Sequence, residues 1–221
     1  MKKEQTERKI HIAHDDDTEK LRQWWKRNGV GIISGIILGI GGVGGIQGWR
    51  MYQDYQGEKA SVLYEQMLAA DVVDDQAAVI NSANVLIANH QSSGYADLAR
   101  LMLARQFLYA EDVAAARTAL NELLEQSKDP VMHQVARVRL AVIALQAGDV
   151  DQVRALAEAS AAEGFVSQFQ ELLGDALMAS GDLKAAQIAY EKALANAPSN
   201  SQAAQLISAK LNMTRRDDPS G

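Results

Sequence analysis

One uninterrupted apolar segment, residues 29–48, constrains the fold of this chain more than any other feature of its sequence. The segment contains no charged residue, and nine of its twenty residues are glycine. At a rise of about 1.5 Å per residue, such a helix matches a hydrocarbon core of roughly 30 Å. Trp24, Trp25 and Trp49 flank it, where amphipathic rings favour the membrane interface. Because lipid offers the backbone no hydrogen bonds, we expect a single transmembrane helix here despite the glycines.

The charges on either side of the segment predict its orientation. The N-terminal flank carries four basic residues within eight positions, whereas the C-terminal flank offers two before residue 100: Lys20, Arg22, Lys26 and Arg27 against Arg50 and Lys59. The positive-inside rule therefore predicts a cytoplasmic tail, residues 1–28, and export of the remainder. A cleaved signal peptide is the rival interpretation. The long charged tail and the lack of a clear small-x-small cleavage site favour an uncleaved anchor.

The glycines of the segment also suggest a packing surface. Gly31, Gly35 and Gly39 recur at four-residue spacing, which places them on one face of a helix. Small residues at this spacing let another transmembrane helix approach closely. They form a candidate transmembrane packing face, although glycine is also simply common in membrane helices.

Composition excludes several classes of function. Residues 49–221 carry fourteen Lys and Arg against twenty-two Asp and Glu, and this acidic balance argues against nucleic acid as a partner. The chain has no cysteine, so disulfides, thiol catalysis and thiolate metal sites are excluded. The charged residues 1–28 predict disorder, up to a short amphipathic stretch at residues 21–25.

The exported part is rich in alanine and leucine at helical spacing, and it repeats itself. The sequence Ala-Gly-Asp-Val at residues 147–150 recurs as Ser-Gly-Asp-Leu at residues 180–183, thirty-three positions later. A weaker copy, Ala-Glu-Asp-Val, occupies residues 110–113. Each copy predicts a helix end, a tight turn and a new helix start, so the repeats predict an all-α solenoid.

The last copy resembles the tetratricopeptide repeat. Counted from Ser167, its matches are Leu173, Gly174, Gly181, Ala186, Tyr190, Ala193 and Pro198. Gly174 and Ala186 allow two helices to cross closely, Gly181 permits the turn, and Tyr190 fills the gap between units. The copies that start at Asp97 and Gln134 are degenerate.

These patterns divide the chain into five parts. A tail (residues 1–28) and the transmembrane helix (29–48) precede a helical linker with N-terminal helices (49–93). Tetratricopeptide-like repeats with a C-terminal capping helix follow (94–213), and a disordered tail ends the chain (214–221). The predicted fold class is all-α: a single transmembrane helix followed by a helical repeat solenoid.

Repeat solenoids commonly bind through the concave face, which is lined by fixed positions of each first helix. Transferred to this chain, those positions give a mostly apolar candidate peptide groove: Leu98, Leu101, Arg105, Leu108, Tyr109, Val138, Val142, Leu145 and Met178. Glu171 and Asp175 would form an acidic end of this groove. Either the groove is open to apolar polypeptide segments, or residues 50–89 fold back and cover it.

No pattern in the sequence predicts catalysis or a cofactor site. His11-x-x-His14, followed by three aspartates, has a spacing that could bind a metal ion, but a solvated tail is the simpler interpretation. No phosphate loop or Ser/His/Asp arrangement is present. The sequence therefore predicts a protein that is not an enzyme, with no catalytic, cofactor-binding or metal site.

The whole layout resembles the YfgM family, ancillary subunits of the bacterial SecYEG translocon. The residues that carry the resemblance lie at the membrane exit and in the repeats: 38–50, 95–104, 138–141, 163–165, 174–177 and 181–182. The first eighteen residues depart from the family pattern. The resemblance implies an inner-membrane protein with a periplasmic domain, partnered by the translocon and a PpiD-type periplasmic chaperone.

The function implied by the resemblance is to pass newly exported, unfolded polypeptides to periplasmic chaperones. Two alternatives stay open. The chain could be an assembly scaffold of an envelope complex that does not touch clients. It could also be a stress-signalling tether that acts through residues 1–28.

Overall fold

The computed structural model describes residues 15–159 and 163–217, and it divides the chain into two compact units, residues 1–55 and 56–221. The first helix, α1 (Asp15–Val72), contributes residues to both units. The units are described in turn.

In the first unit, the described residues belong entirely to α1. This is the one helix in the described part of the chain that is long and apolar enough to cross a membrane, and the side chains of its apolar segment are almost all exposed. The Ser34 hydroxyl donates to the Val30 carbonyl oxygen at 2.7 Å, which satisfies the hydroxyl inside an apolar segment. The predicted transmembrane helix is therefore part of a longer continuous helix.

The prediction of disorder before residue 21 is wrong for residues 15–20, which are helical. No proline or glycine interrupts residues 15–28, so the sequence there permits a continuous helix. His11 and His14 lie outside the described residues.

In the described part of the second unit, the end of α1 is followed by eight further helices. They are α2 (Gln76–Asn89), α3 (Gly94–Tyr109), α4 (Val113–Gln126), α5 (Pro130–Gln146), α6 (Val150–Glu158), α7 (Glu163–Ala179), α8 (Leu183–Asn196) and α9 (Gln202–Asp217). From α2 onward each helix packs on the next one in the chain, and α5 also packs on α7.

One turn geometry occurs four times in this unit. The turns join α1 to α2, α3 to α4, α5 to α6 and α7 to α8, and each contains a left-handed residue followed by an aspartate. The left-handed residues are Asp74, Glu111, Gly148 and Gly181, with φ between 59° and 85°. Each aspartate caps the next helix by accepting from a backbone N–H three residues later, at 2.9–3.1 Å. Its own N–H donates to the carbonyl five residues earlier, which closes the preceding helix.

The first of these turns lies before the predicted repeats. The sequence predicted three units preceded by flanking helices, and the turn between α1 and α2 has the same geometry as the turns inside those units. The sequence signal was missed because Asp74 takes the place of the turn glycine, and aspartate tolerates the left-handed conformation better than most residues.

Alanine-rich contacts bring the helices close together. A core cluster runs from Met67 of α1 to Ile143 of α5, a second from Ala144 to Leu211 of α9, and a smaller one joins α5, α6 and α7. At the tightest contact, a Cβ added to Gly174 would lie 2.5 Å from Cε1 of Tyr190. The predicted roles of Gly174 and Tyr190 as close-packing partners agree with this geometry.

The C-terminal cap is longer than predicted. Residues 214–217, expected to be disordered, are the end of α9, and Thr214 is fully buried. The Thr214 hydroxyl donates to the Leu211 carbonyl oxygen at 2.8 Å, so a polar residue ends the core without an unsatisfied group.

Candidate functional site

A small pocket lies between α3, α4 and α5, and we call it the α3–α5 pocket. Its volume is about 140 Å³, and its lining combines aliphatic side chains with three polar ones: Ala104, Leu108, Leu120, Val142 and Ile143, with Arg105, Arg139 and Gln146. Three residues of the predicted groove, Arg105, Leu108 and Val142, meet here. The pocket is therefore the part of the predicted groove that forms a concave site.

Arg105 is held in place from two sides. Its guanidinium forms an ion pair with Asp71 at the end of α1 and lies 5.7 Å from the ring centroid of Tyr109. The Gln106 amide donates to the same Asp71 oxygen at 2.9 Å. These contacts fix the guanidinium at the pocket with little remaining rotamer freedom.

Arg139 and Gln146 differ from Arg105 in their surroundings. Both side chains are exposed, and within the described part of the chain neither has a hydrogen-bond or ion-pair partner. Arg139 thus presents an unpaired cation beside an aliphatic surface, in a unit whose overall charge is negative. This combination favours a ligand that carries both an apolar group and a negative charge.

The other predicted groove residues are distributed unequally between surface and core. Leu108, Tyr109 and Val142 are exposed, and Leu98 is half-buried. Leu101 packs against the first core cluster, while Leu145 and Met178 pack against the second. Val138 is buried with Ala141, Ala157 and Phe169, so it belongs to the core and does not line an open groove.

The end of α1 covers only part of the predicted groove. Residues 56–72 of α1 pack on the first core cluster through Leu63, Tyr64 and Met67, and Asp71 contacts Arg105. Leu108, Tyr109 and Val142 nevertheless stay exposed. The end of α1 therefore borders the pocket and leaves its α5 side accessible.

The predicted acidic end of the groove is occupied by the capping helix. Lys210 of α9 donates to Glu171 Oε1 and to Asp175 Oδ2, both at 2.7 Å. Burial alone would lower the pKa of Lys210, but the hydrogen bonds and charges of Asp175 and Glu171 outweigh it and raise the pKa. Both carboxylates are thus paired with the same ammonium group inside the unit.

Tyr190 belongs to the same network. Its hydroxyl donates to Asp175 Oδ1 at 2.8 Å, while its ring packs against Gly174. Burial, and then the hydrogen bond and charge of Asp175, hold the pKa of Tyr190 well above its ordinary value. Sequence reasoning placed Tyr190 in the packing but missed its hydrogen bond to α7.

A buried polar cluster in α3 was not foreseen from the sequence. Arg100 is only 1% exposed, and its guanidinium lies 3.3 Å from Asp97, which also accepts from the Ser127 hydroxyl at 2.6 Å. Because Asp97 and Arg100 are one helical turn apart, the pair was visible as an i, i+3 spacing, but its burial was not. The cluster ties α3 to the end of α4.

In the first unit, the predicted packing face is free of contacts. A Cβ added at Gly31, Gly35 or Gly39 would meet no other atom within 4 Å. By contrast, Gly29 is covered by the indole ring of Trp25. The described residues contain no group of three or more His, Asp or Glu side chains that could hold a metal ion.

Comparison with known proteins agrees with this architecture. The family model of the tetratricopeptide repeat-like domain matches residues 22–215, a range that includes the apolar segment. An ancillary SecYEG translocon subunit of Haemophilus influenzae is 32% identical over 204 residues, which cover 91% of this chain and 97% of the relative. The subunit of Aggregatibacter actinomycetemcomitans is 31% identical over 201 residues, with the same coverage.

A third relative, the ancillary SecYEG translocon subunit of Escherichia coli K12, is 27% identical over 182 residues, or 82% of this chain and 87% of the relative. At 91% coverage of this chain, the first two matches necessarily include both the apolar segment and most of the repeats. The chain therefore belongs to the family of ancillary SecYEG translocon subunits, the YfgM family, whose tetratricopeptide repeat-like domain its helix pairs form.

Proposed function

We propose that this protein is an inner-membrane adaptor that associates with the Sec translocon and passes newly exported polypeptides to periplasmic chaperones. Membership of a family named for the translocon supports the association. The apolar segment of α1 supplies an anchor, and the basic residues before it favour a cytoplasmic N-terminus with the repeats in the periplasm. A PpiD-type chaperone is the proposed recipient.

The observation that carries client binding is the exposed apolar edge of the α3–α5 pocket. Tyr109 is 65% exposed, and Leu108 and Val142 keep 37% and 36% of their surface exposed to solvent. Exposed apolar side chains around a concavity are typical of surfaces that bind polypeptides.

Site-specific photocrosslinking tests the proposal. A photoreactive amino acid at Val142, in the full-length protein in membranes, is expected to crosslink to a polypeptide arrested during export. The same probe at Ile188, an exposed apolar position on α8, is the matched control. Equal crosslinking at both positions would argue against a client site in the pocket.

The same preparation tests the orientation. In inverted inner-membrane vesicles, added protease should remove the N-terminal tail and leave the Val142 crosslink intact, because the repeats then lie inside. Digestion of the repeats in closed vesicles would contradict a periplasmic domain.

A scaffold function without client contact is the second candidate, and the burial of much of the predicted groove favours it. Val138 is buried, and Leu101, Leu145 and Met178 pack against the core, so little apolar surface is left for clients. In that case the full-length protein in detergent should co-purify with membrane partners but fail to delay aggregation of an unfolded protein.

A further inference from the structure

The α3–α5 pocket combines features that select among polypeptide segments. Its volume of about 140 Å³ fits one aliphatic side chain and not an aromatic cluster, and its wall is formed by Leu108, Leu120, Val142 and Ile143. Arg105 and Arg139 lie in the same lining. Residues 49–221 carry a net negative charge, so this pair of arginines is a local exception to the charge of the exported part of the chain.

The two arginines differ in whether they already have a carboxylate partner within the protein. Arg105 already has a carboxylate partner, Asp71, and is further positioned by the ring of Tyr109. Arg139 has no partner among the described residues, and its side chain is exposed. An incoming carboxylate beside Val142 would therefore pair with Arg139 without first breaking an internal ion pair.

We propose that the pocket binds polypeptide segments in which an aliphatic side chain stands next to an acidic one. The aliphatic side chain enters between Leu108 and Val142, and the neighbouring carboxylate pairs with Arg139. The Gln146 amide, also in the lining and exposed, can donate to the backbone of the same segment. The unit around the pocket carries a net negative charge and therefore repels a negatively charged segment. Segments that are rich in acidic residues but lack an aliphatic side chain would for this reason bind weakly.

This inference deepens the proposed client binding and rests on it for its biological meaning, but the chemistry of the pocket can be tested separately. The probe is a fluorescent, N-acetylated and C-amidated decapeptide of glycine and serine that carries a central Leu-Glu pair. Matched peptides carry Leu-Lys or Ser-Glu instead. Binding to the full-length protein in detergent is measured by fluorescence anisotropy.

The Leu-Glu peptide is expected to bind about tenfold more tightly than either matched peptide, because Leu-Lys lacks the favourable charge contact and Ser-Glu lacks the buried aliphatic group. Arg139→Glu should invert the preference, so that Leu-Lys binds more tightly than Leu-Glu. Arg154→Glu, an equal charge change at an exposed position on α6, is the control and should leave the preference unchanged. Val142→Ser should weaken both leucine-containing peptides and leave the Ser-Glu peptide unchanged.

Equal binding of the three peptides would overturn the inference, as would an equal response to Arg139→Glu and Arg154→Glu. Binding that appears only when the peptide ends in a free carboxylate would overturn it in favour of a chain-terminus site. The outcome is separable from the proposed function. Crosslinks of exported chains at Val142 without a preference for Leu-Glu would sustain the function and refute the inference, whereas selective peptide binding without crosslinks in membranes would do the reverse.

Discussion

At the scale of single residues, Gly174 and Tyr190 decide how closely α7 and α8 can pack. Gly174 of α7 faces the ring of Tyr190 of α8, and Ala186 is fully buried nearby. The ring cannot retreat freely because its hydroxyl is hydrogen-bonded to Asp175. The absence of a side chain at position 174 is therefore a packing requirement and not a requirement for backbone freedom.

Gly174→Ala is expected to lower the free energy of unfolding of the repeats by about 1–3 kcal/mol, because the new methyl group would overlap the Tyr190 ring. Urea unfolding of the full-length protein in detergent, followed by circular dichroism, measures the change.

Gly164→Ala is the matched control for this substitution. A Cβ there would meet no atom within 4 Å, so the helix should be unchanged or gain up to about 1 kcal/mol. An equal loss of stability in both variants would mean that the effect at Gly174 is not steric.

Residue-level prediction from the sequence succeeded where a residue type has one dominant physical role. The roles of Gly174, Gly181 and Tyr190 follow from size and backbone freedom, which the sequence displays directly. The burial of Arg100 and Val138 was not predicted, because it does not follow from residue type alone. Whether a side chain at a first-helix position lies in the core or on the surface depends on how neighbouring pairs stack, and spacing alone does not contain that information.

At the scale of helices, α9 closes the solenoid by both apolar and polar contacts. Ile207 and Leu211 complete the second core cluster, while Lys210 pairs with Glu171 and Asp175 of α7. The sequence predicted a capping helix from its apolar pattern. It did not predict the ion pairs, because Lys210 and its partners are more than thirty residues apart.

Lys210→Met should loosen α9, because it leaves two partly buried carboxylates near each other without a cation. We expect a loss of about 1–2 kcal/mol, seen as faster amide hydrogen exchange confined to α9 and the neighbouring part of α7.

Arg215→Met is the corresponding control within α9. Its ion pair with Glu191 is more than half exposed on both sides, so its removal should change stability by less than about 0.5 kcal/mol. Comparable effects of the two substitutions would show that burial of the Lys210 ion pairs does not increase their contribution to the free energy of unfolding.

At the scale of the whole molecule, the charge network between α7, α8 and α9 predicts how stability changes in alkali. The pKa of Tyr190 is raised above its ordinary value of 10.0 and that of Lys210 above 10.5. Both groups therefore stay protonated to a higher pH in the folded state than in the unfolded state. Above pH 10 the unfolded chain therefore binds fewer protons than the folded chain. Stability is fully retained below this pH and falls as the pH rises above it.

Urea unfolding between pH 8 and pH 11.5 measures this loss, whose slope is at most about 1.4 kcal/mol per pH unit for each group. Tyr190→Phe should reduce stability at pH 8, since the hydrogen bond to Asp175 is lost, but it should flatten the decline above pH 10. Tyr109→Phe removes an exposed hydroxyl and is the control; it should decline as the unchanged chain does. A Tyr190→Phe profile parallel to that of the unchanged chain would refute the assignment.

Most of the architecture could be predicted from the sequence, because an apolar segment and a helical repeat are patterns that extend over many residues. The all-α fold and the family were confirmed. The prediction of disorder was wrong for residues 15–20, because charged residues can favour helix as well as disorder, and the turn at Asp74 was missed because it has no glycine. The α3–α5 pocket could not be derived, since its lining depends on three helices meeting.

The order of packing along the chain has a consequence for how the domain is made. From α2 onward, the substantial contacts join each helix to the next one or, for α5 and α7, to the next but one. Local contacts of this kind close quickly and need no distant segment to be present. Repeats that are exported in chain order behind a cytoplasmic N-terminus can therefore build their core in the order in which the helices emerge, and α9 then completes the domain last.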